Sequence, residues 1–191
     1  MLKLLGLFPI SKSEINLYIH NMDKHKIMRP HDVIILMKII LSEKDIMLKD
    51  ISASLGISAS EVTKSINRST EAGLIAEDKK TVMRKVFYEF LLHGLSVVFP
   101  TKPSSMVRGM PTAHSAPPLN KEFESEEAFV WADPKGNIRG QQITPFHPNQ
   151  VQAAKSDERL YEMLALVDAL RVGKTREKEM AKEELQKRIL G

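Results

Sequence analysis

The feature that most constrains this fold is the four-residue link Leu55-Gly56-Ile57-Ser58, which joins two helical patterns. Gly56 predicts the end of the first helix, because glycine readily adopts the left-handed conformation that follows many helices. Ser58, with Glu61 three residues later, predicts an N-cap and a capping box for the second helix. Since the link is so short, the first helix is expected to brace the second across a tight turn.

The second helix is predicted to begin at Ala59 and to end near Ala72, with one apolar and one polar side. Val62 and Ile66 give the buried side at helical spacing. The opposite side has small and polar residues near the helix start and basic residues further along, namely Ala59, Ser60, Thr63, Lys64, Asn67 and Arg68. A helix with this side exposed could enter a narrow groove.

A helix and a hairpin are predicted on either side of this pair. Pro30 marks the start of a mostly buried helix over residues 30–41, because proline suits the first helical turn. Gly73 predicts a stop, and the polar run at 76–81, between two apolar stretches, predicts a hairpin tip. The chain is expected to be mostly helical again from about Met83.

The order helix, helix, short turn, helix, apolar strand and charged tip resembles the winged helix-turn-helix of bacterial transcription regulators, most nearly the MarR-like type. The residues that carry the resemblance are Asp50-Ile51-Ser52-Ala53-Ser54-Leu55-Gly56-Ile57-Ser58-Ala59-Ser60-Glu61-Val62-Thr63-Lys64 and Ala72-Gly73-Leu74-Ile75, within about 55 of the 191 residues. The resemblance implies a DNA-binding domain with the helix from Ala59 to Ala72 in the major groove. Ser69-Thr70 stands where the family usually has a large apolar residue, so that end of the helix is expected to pack less tightly.

The resemblance also implies which side chains contact double-stranded DNA. Hydroxyl and amide groups on the recognition helix can bond to bases or phosphates, and cations can neutralise phosphates. Lysines at the wing tip are placed for contact with the DNA backbone. The predicted contact residues are Ser58, Ser60, Thr63, Lys64, Asn67, Arg68, Lys79, Lys80 and Arg84. The expected protein is a homodimeric transcriptional repressor that binds two half-sites.

A protein-interaction module with the same fold is the alternative. The chain would then bind a companion protein, as an antitoxin does. The proline-rich segment from Pro100 to Leu119 motivates this hypothesis, because extended segments can wrap around a partner. The recognition helix has only two basic residues, Lys64 and Arg68, whereas DNA affinity depends on neutralising phosphates.

The whole chain is expected to be mainly α, in the α+β class: a winged helix-turn-helix with a small β-wing, followed by an irregular and helical extension. A strand at 128–131, a turn at 133–137 and a strand at 138–143 that pairs back across the turn form its β part. Helices are predicted from about Val151, most clearly over 157–170, and again over 174–189. The predicted organisation is an N-terminal helix or arm at 1–27, a DNA-binding domain at 28–100, an irregular proline-rich and short β segment at 101–150, and C-terminal helices for dimerisation or partner binding at 151–191.

Asp168 lies in an otherwise apolar helical pattern, and a buried carboxylate needs a partner. One hypothesis is a structural ion pair with Arg171, three residues later, or with Arg108 or Arg139 from the preceding segment. The other is a ligand or partner site lined by Arg108, Trp131, Arg139 and Asp168.

Composition and spacing exclude several other function classes. Without cysteine, the chain can form no disulfide, Cys-ligated zinc site or thiol nucleophile. The six histidines lack metal-ligand spacing, and Gly173-Lys174-Thr175 lacks the earlier glycine of a phosphate-binding loop. No enzyme activity, metal or cofactor is therefore predicted. The apolar start at 1–10 has no small-residue cleavage site and is too short to span a membrane, so a cytoplasmic location without membrane contact is expected.

Overall fold

A computed structural model of the chain describes residues 27–42, 46–123 and 127–191. It is rich in α-helix and contains one small three-stranded sheet, so the predicted α+β class is confirmed. The predicted N-terminal helix, and all of the predicted arm except its last residue, lie outside the described residues.

Helix α1 spans Pro30–Leu41, with Pro30 in its first turn as predicted. The Asp32 carboxylate accepts a hydrogen bond from the backbone N–H of Arg29 at 2.7 Å, which satisfies a donor at the helix start. Residues 33–37 are all buried, so α1 is surrounded by other elements on nearly every side. The prediction of a mostly buried helix is confirmed.

Helices α2, Leu48–Leu55, and α3, Ala59–Glu71, follow the predicted pattern. Gly56 has φ of 61°, the left-handed conformation expected between them. The Ser58 side chain accepts a hydrogen bond from the Glu61 N–H at 3.3 Å, but the Glu61 carboxylate makes other contacts, so only half of the predicted capping box forms. Ser69 is fully buried, so the expected looser packing near the end of α3 is not seen there.

The predicted hairpin forms between residues 74 and 83. Ile75 and Val82 make a single antiparallel bridge, and the Ala76 N–H donates to the Thr81 carbonyl at 2.8 Å. Helix returns where it was expected, as α4 at Arg84–Glu89, a π-helical turn at Phe90–Gly94 and α5 at Leu95–Val98.

The proline-rich segment is more ordered than the sequence indicated, because it contains strand β1, Met106–Pro111. Strands β2, Phe129–Ala132, and β3, Ile138–Gln142, lie close to their predicted positions. The predicted pairing of β3 back across the turn is wrong. Both β2 and β3 pair antiparallel with β1, while β2 and β3 pair parallel with each other and close a small barrel.

Close backbone approach explains this unexpected pairing. A Cβ atom on Gly109 would lie 2.1 Å from the Trp131 carbonyl oxygen. A Cβ atom on Gly136 would lie 2.3 Å from the Gly109 carbonyl oxygen. Only glycine permits contacts this short, so the turn folds directly against β1 and leaves β3 beside β1 rather than reversed against β2.

The C-terminal helices are α6, Gln150–Ser156, α7, Glu158–Val172, and α8, Thr175–Leu190. Helix α7 is buried along most of its length and packs against α1 and α8. The hydrophobic core therefore runs continuously from Val33 to Ile189, and helices α1, α2 and α3 share it with the C-terminal helices. Within the described ranges, no helix has the length and apolar content needed to cross a membrane.

Candidate nucleic-acid interface

The exposed side of α3 presents the short polar residues that the sequence pattern placed there. Ser60, Thr63, Lys64 and Asn67 are all exposed, whereas Val62 and Ile66 are buried. The Thr63 hydroxyl donates to the carbonyl of Ala59 at 2.9 Å, one turn earlier. The opposite side of this helix is fixed in the core. We name the exposed surface formed by Ser60, Thr63, Lys64 and Asn67 the α3 face.

Arg68 does not belong to the α3 face, and its predicted contact with DNA is wrong. Its side chain is 1% exposed and forms two hydrogen bonds to the Asp32 carboxylate, at 3.0 Å from Nε and 2.7 Å from Nη2. Nη2 also donates to the Glu61 carboxylate at 3.0 Å. Arg68 lies on the flank of α3 that packs against the start of α1, and there it joins the two helices.

The Glu61 carboxylate is held within the same charged cluster. It accepts from Arg29 at 3.2 Å and lies 3.1 Å from His31 Nε2. Burial opposes the charged form, but hydrogen bonds from Arg68 and His31 outweigh it and lower the pKa of Glu61. This acidic group at the start of α3 is thus neutralised by cations of its own chain and does not oppose an anionic partner.

A hydrogen bond from Lys79 attaches the hairpin tip to the α3 face. Lys79 adopts a left-handed φ of 58°, and its Nζ donates to Asn67 Oδ1 at 2.9 Å. Asp78 closes the turn by accepting from the Thr81 hydroxyl and from two backbone N–H groups. The hydroxyl bond from Thr81, together with the backbone bonds, lowers the pKa of Asp78 to about 2. The tip, which also carries exposed Lys80, is therefore a shaped turn beside α3.

Arg84 is exposed but holds helices together rather than extending the hairpin tip. Its guanidinium donates to the Ile189 carbonyl at 2.8 Å and to the Ile40 carbonyl at 3.4 Å. Both acceptors are neutral carbonyl groups, so these bonds do not neutralise the positive charge of Arg84. That charge lies at the edge of the surface formed by α3 and the hairpin.

A groove of about 920 Å³ opens between α1, α2, α3 and the hairpin. Its floor is apolar, and its rim includes Thr63 and Asn67 from the α3 face together with Lys79, Lys80 and Arg84. Met47 and Leu48, on its α2 side, are 53% and 42% exposed. The sequence did not indicate this groove, because its walls come from four separate elements.

The second predicted site does not form. Asp168 and Trp131 are fully buried, whereas Arg108 and Arg139 are exposed on facing positions of β1 and β3. Asp168 instead accepts from Trp131 Nε1 at 2.7 Å, from the Thr112 hydroxyl at 2.9 Å and from Arg171 at 2.8 Å. The structural hypothesis, an ion pair with Arg171, is confirmed, and the hypothesis of one site with all four residues is wrong.

A loop from the C-terminal half lies against the turn between α2 and α3, which the sequence did not predict. Asn149 Nδ2 donates to the Gly56 carbonyl at 2.7 Å. The His147 ring meets the His31 ring edge-on at 6.0 Å, and burial together with His31 lowers the pKa of His147. This loop therefore packs on the turn from a position 93 residues away in the sequence.

Comparison with known proteins gives no functional assignment for this site. No protein-family model, curated protein or solved structure matches the chain. In the part of the chain that the structure describes, no three His, Asp or Glu side chains converge to hold a metal ion. The functional argument therefore depends on the α3 face, the hairpin tip and the groove beside them.

Proposed function

We propose that the chain is a sequence-specific DNA-binding transcription regulator, and a repressor, whose residues 28–100 form a winged helix. Helix α3 enters the major groove, and the hairpin tip contacts the DNA backbone. The observation that carries this proposal is the α3 face, since the helix exposes polar side chains along one side while the buried ion pair between Arg68 and Asp32 fixes its flank against α1.

The geometry of the DNA major groove supports this assignment. The major groove admits one α-helix, and short side chains at its start let the backbone approach the bases. Ser60, Thr63 and Asn67 then present hydroxyl and amide groups to base edges. Lys64 and Lys79 neutralise phosphates, which positions the helix and supplies most of the salt-sensitive affinity.

A homodimer would double the few cations that one chain offers. Helix-turn-helix dimers bind two half-sites about 34 Å apart, one turn of DNA. A cytoplasmic repressor of this kind would recognise an inverted repeat near its own promoter.

A gel-shift series on duplex DNA from upstream of the gene, at two salt concentrations, tests the proposal. We expect specific binding that weakens as salt rises, and its loss in the double variant Lys64→Ala with Asn67→Ala. Lys187→Ala removes a similarly exposed lysine from the surface of α8 and is the matched control. No shift at low salt, or equal shifts by the double variant and the control, would contradict the proposal.

Binding of a companion protein, as by an antitoxin, is the second candidate function. The proline-rich segment no longer supports it, because β1 and buried residues such as Leu119 attach that segment to the chain. The groove beside α3 supports it instead, since Met47 and Leu48 expose apolar surface there. Co-expression with a neighbour-encoded protein would test it. This function would be favoured if the two proteins co-purify and if Leu48→Glu abolishes the co-purification without affecting the gel shift.

A further inference from the structure

The loop between β3 and α6 is anchored in the core at Phe146 and touches the turn between α2 and α3 at Asn149. Phe146 is buried, and the Arg171 guanidinium lies 4.3 Å from the centre of its ring. Three residues later, Asn149 Nδ2 donates to the Gly56 carbonyl at 2.7 Å. A change within residues 147–149 would therefore alter the contact with the turn while the loop stays attached to the core.

The His147 ring orients the residue that makes this contact. His147 Nδ1 accepts a hydrogen bond from the backbone N–H of Asn149 at 3.1 Å. A ring nitrogen that accepts a hydrogen bond carries no proton, so this bond exists only while His147 is neutral. Protonation of Nδ1 would set two N–H groups against each other and would remove the bond that orients Asn149.

A second histidine makes a positive charge on His147 less favourable. The His31 ring meets the His147 ring edge-on, with the ring centres 6.0 Å apart. His31 Nε2 lies 3.1 Å from the Glu61 carboxylate, which can only accept, so His31 donates from Nε2 and is held in this position. Burial together with His31 lowers the pKa of His147, and the folded loop therefore favours the neutral ring.

Charged groups from four helices surround the loop. On the side of α1 and α3 they are Arg29, Asp32, Glu61 and Arg68, which pair with one another beside His31. On the other sides they are Arg171 of α7, which packs on Phe146, and Asp50, Lys38 and Asp157, which border the same cleft as Asn149. Lys38 and Asp157 form an ion pair of 2.7 Å. The titratable ring that meets His147 is that of His31, so His31 is the neighbour whose charge acts on it most directly.

From this geometry we infer that His147 and Asn149 are positioning residues for the turn between α2 and α3, and that they hold the turn only while His147 is neutral. Neutral His147 orients Asn149, and the Asn149 side chain binds the Gly56 carbonyl. When His147 is protonated, Asn149 loses its orienting acceptor and the turn loses this contact. Because the turn sets the angle between α2 and α3, acid would also weaken the binding of DNA by the α3 face. This last step rests on the proposed function, whereas the release of the turn does not.

Amide NMR spectra of the full chain, recorded between about pH 8 and about pH 5, test the release of the turn without DNA. The Ile57 amide shares a peptide bond with the Gly56 carbonyl, and the Asn149 side-chain amide is the donor to it. We expect both resonances to shift with the midpoint of the His147 ring, below the ordinary histidine value of 6.5. Resonances that do not shift, or that follow the midpoint of His31 and not that of His147, would overturn the inference.

Three variants separate His147 from the other histidines. His147→Asn retains an acceptor for the N–H two residues later, as in an Asx-turn, and cannot titrate. It should show the neutral-form shifts of Ile57 and the Asn149 side chain at every pH. His147→Ala has no such acceptor and should show the acid-form shifts at every pH. His93→Asn changes an exposed histidine beside Glu89 and is the matched control, which should respond as the natural chain does. A pH response that persists in His147→Asn, neutral-form shifts in His147→Ala, or loss of the response in the control would overturn the inference.

Gel shifts at the two ends of the same pH range, at constant salt, test the consequence for DNA. We expect the natural chain to bind at least about fivefold more weakly at the lower pH, which is the lower end of the usual coupling between two sites. His147→Asn should weaken by less than the natural chain. Equal weakening of the two proteins would overturn the link between the turn and DNA binding. Absence of binding at both pH values would contradict the proposed function, and the NMR spectra would still decide whether His147 holds the turn.

Discussion

Replacement of Arg68 by methionine should destabilise the folded chain by about 3–5 kcal/mol, because it leaves a buried charge without its partner. The Asp32 carboxylate is fully buried and receives two hydrogen bonds from Arg68. Methionine fills much of the same space, so lost volume contributes little. The cost is dominated by the carboxylate that remains in the interior.

Other contacts reduce that cost toward the lower end of the range. Asp32 keeps its 2.7 Å bond from the Arg29 N–H, and Glu61 keeps Arg29 and His31 as partners. The full desolvation penalty of a lone charge is therefore not expected. Asp32→Asn in the Arg68→Met background should recover part of the loss, since it removes the charge and retains an oxygen for the helix start.

Urea unfolding followed by circular dichroism measures the effect directly. Lys64→Met is the matched control, because it removes a cation from the exposed side of the same helix and should change stability by less than about 0.5 kcal/mol. The reasoning would be refuted if Arg68→Met were as stable as Lys64→Met, or if Asp32→Asn lowered its stability further.

Three further results are expected. Asp168→Ala should cost about 3–5 kcal/mol in urea unfolding, because Trp131 Nε1 and two other donors lose their acceptor; a loss below 1 kcal/mol would contradict this. Since the folded-state pKa of Glu61 is lowered, its stabilisation is fully present above the ordinary value of 4.5 and is lost as the pH falls through the lower folded-state pKa. Glu61→Gln should therefore make the loss of folding stability below pH 4.5 less steep. An unchanged loss would refute the stabilising role of the Glu61 carboxylate. An NMR titration should give Asp78 a pKa of about 2, and Thr81→Val should raise it; an ordinary pKa in the natural chain would argue against the hydrogen-bonded turn.

Local signals in the sequence were sufficient to predict helices α1, α2 and α3, the turn between α2 and α3, and the hairpin. The Gly56 conformation, the Ser58 cap and the start of α1 at Pro30 each depend on neighbouring residues. The polar run at 76–81 also folds by local bonds, chiefly those to Asp78. Such features need no knowledge of the distant chain, which is why spacing and residue type predict them.

Distant contacts decided the features that the sequence could not indicate. Arg68 is buried because Asp32 lies opposite it, 36 residues away in the sequence. Periodicity placed Arg68 on the polar side of α3, but a flanking position can face either solvent or another helix. Strand β1 was missed for a related reason, since the prolines in and around it favour a loop and its pairing depends on the close approach at Gly109.

The central claim, that the α3 face binds the major groove, is tested most directly by an NMR titration with a duplex enriched from a random library. We expect the largest amide shifts on the exposed side of α3 and at the hairpin tip, especially at Thr63, Lys64, Asn67 and Lys79. Shifts should be small at Val62, on the buried side of the same helix. Failure to enrich any duplex, or binding that leaves the α3 face unshifted while other surfaces respond, would contradict the claim.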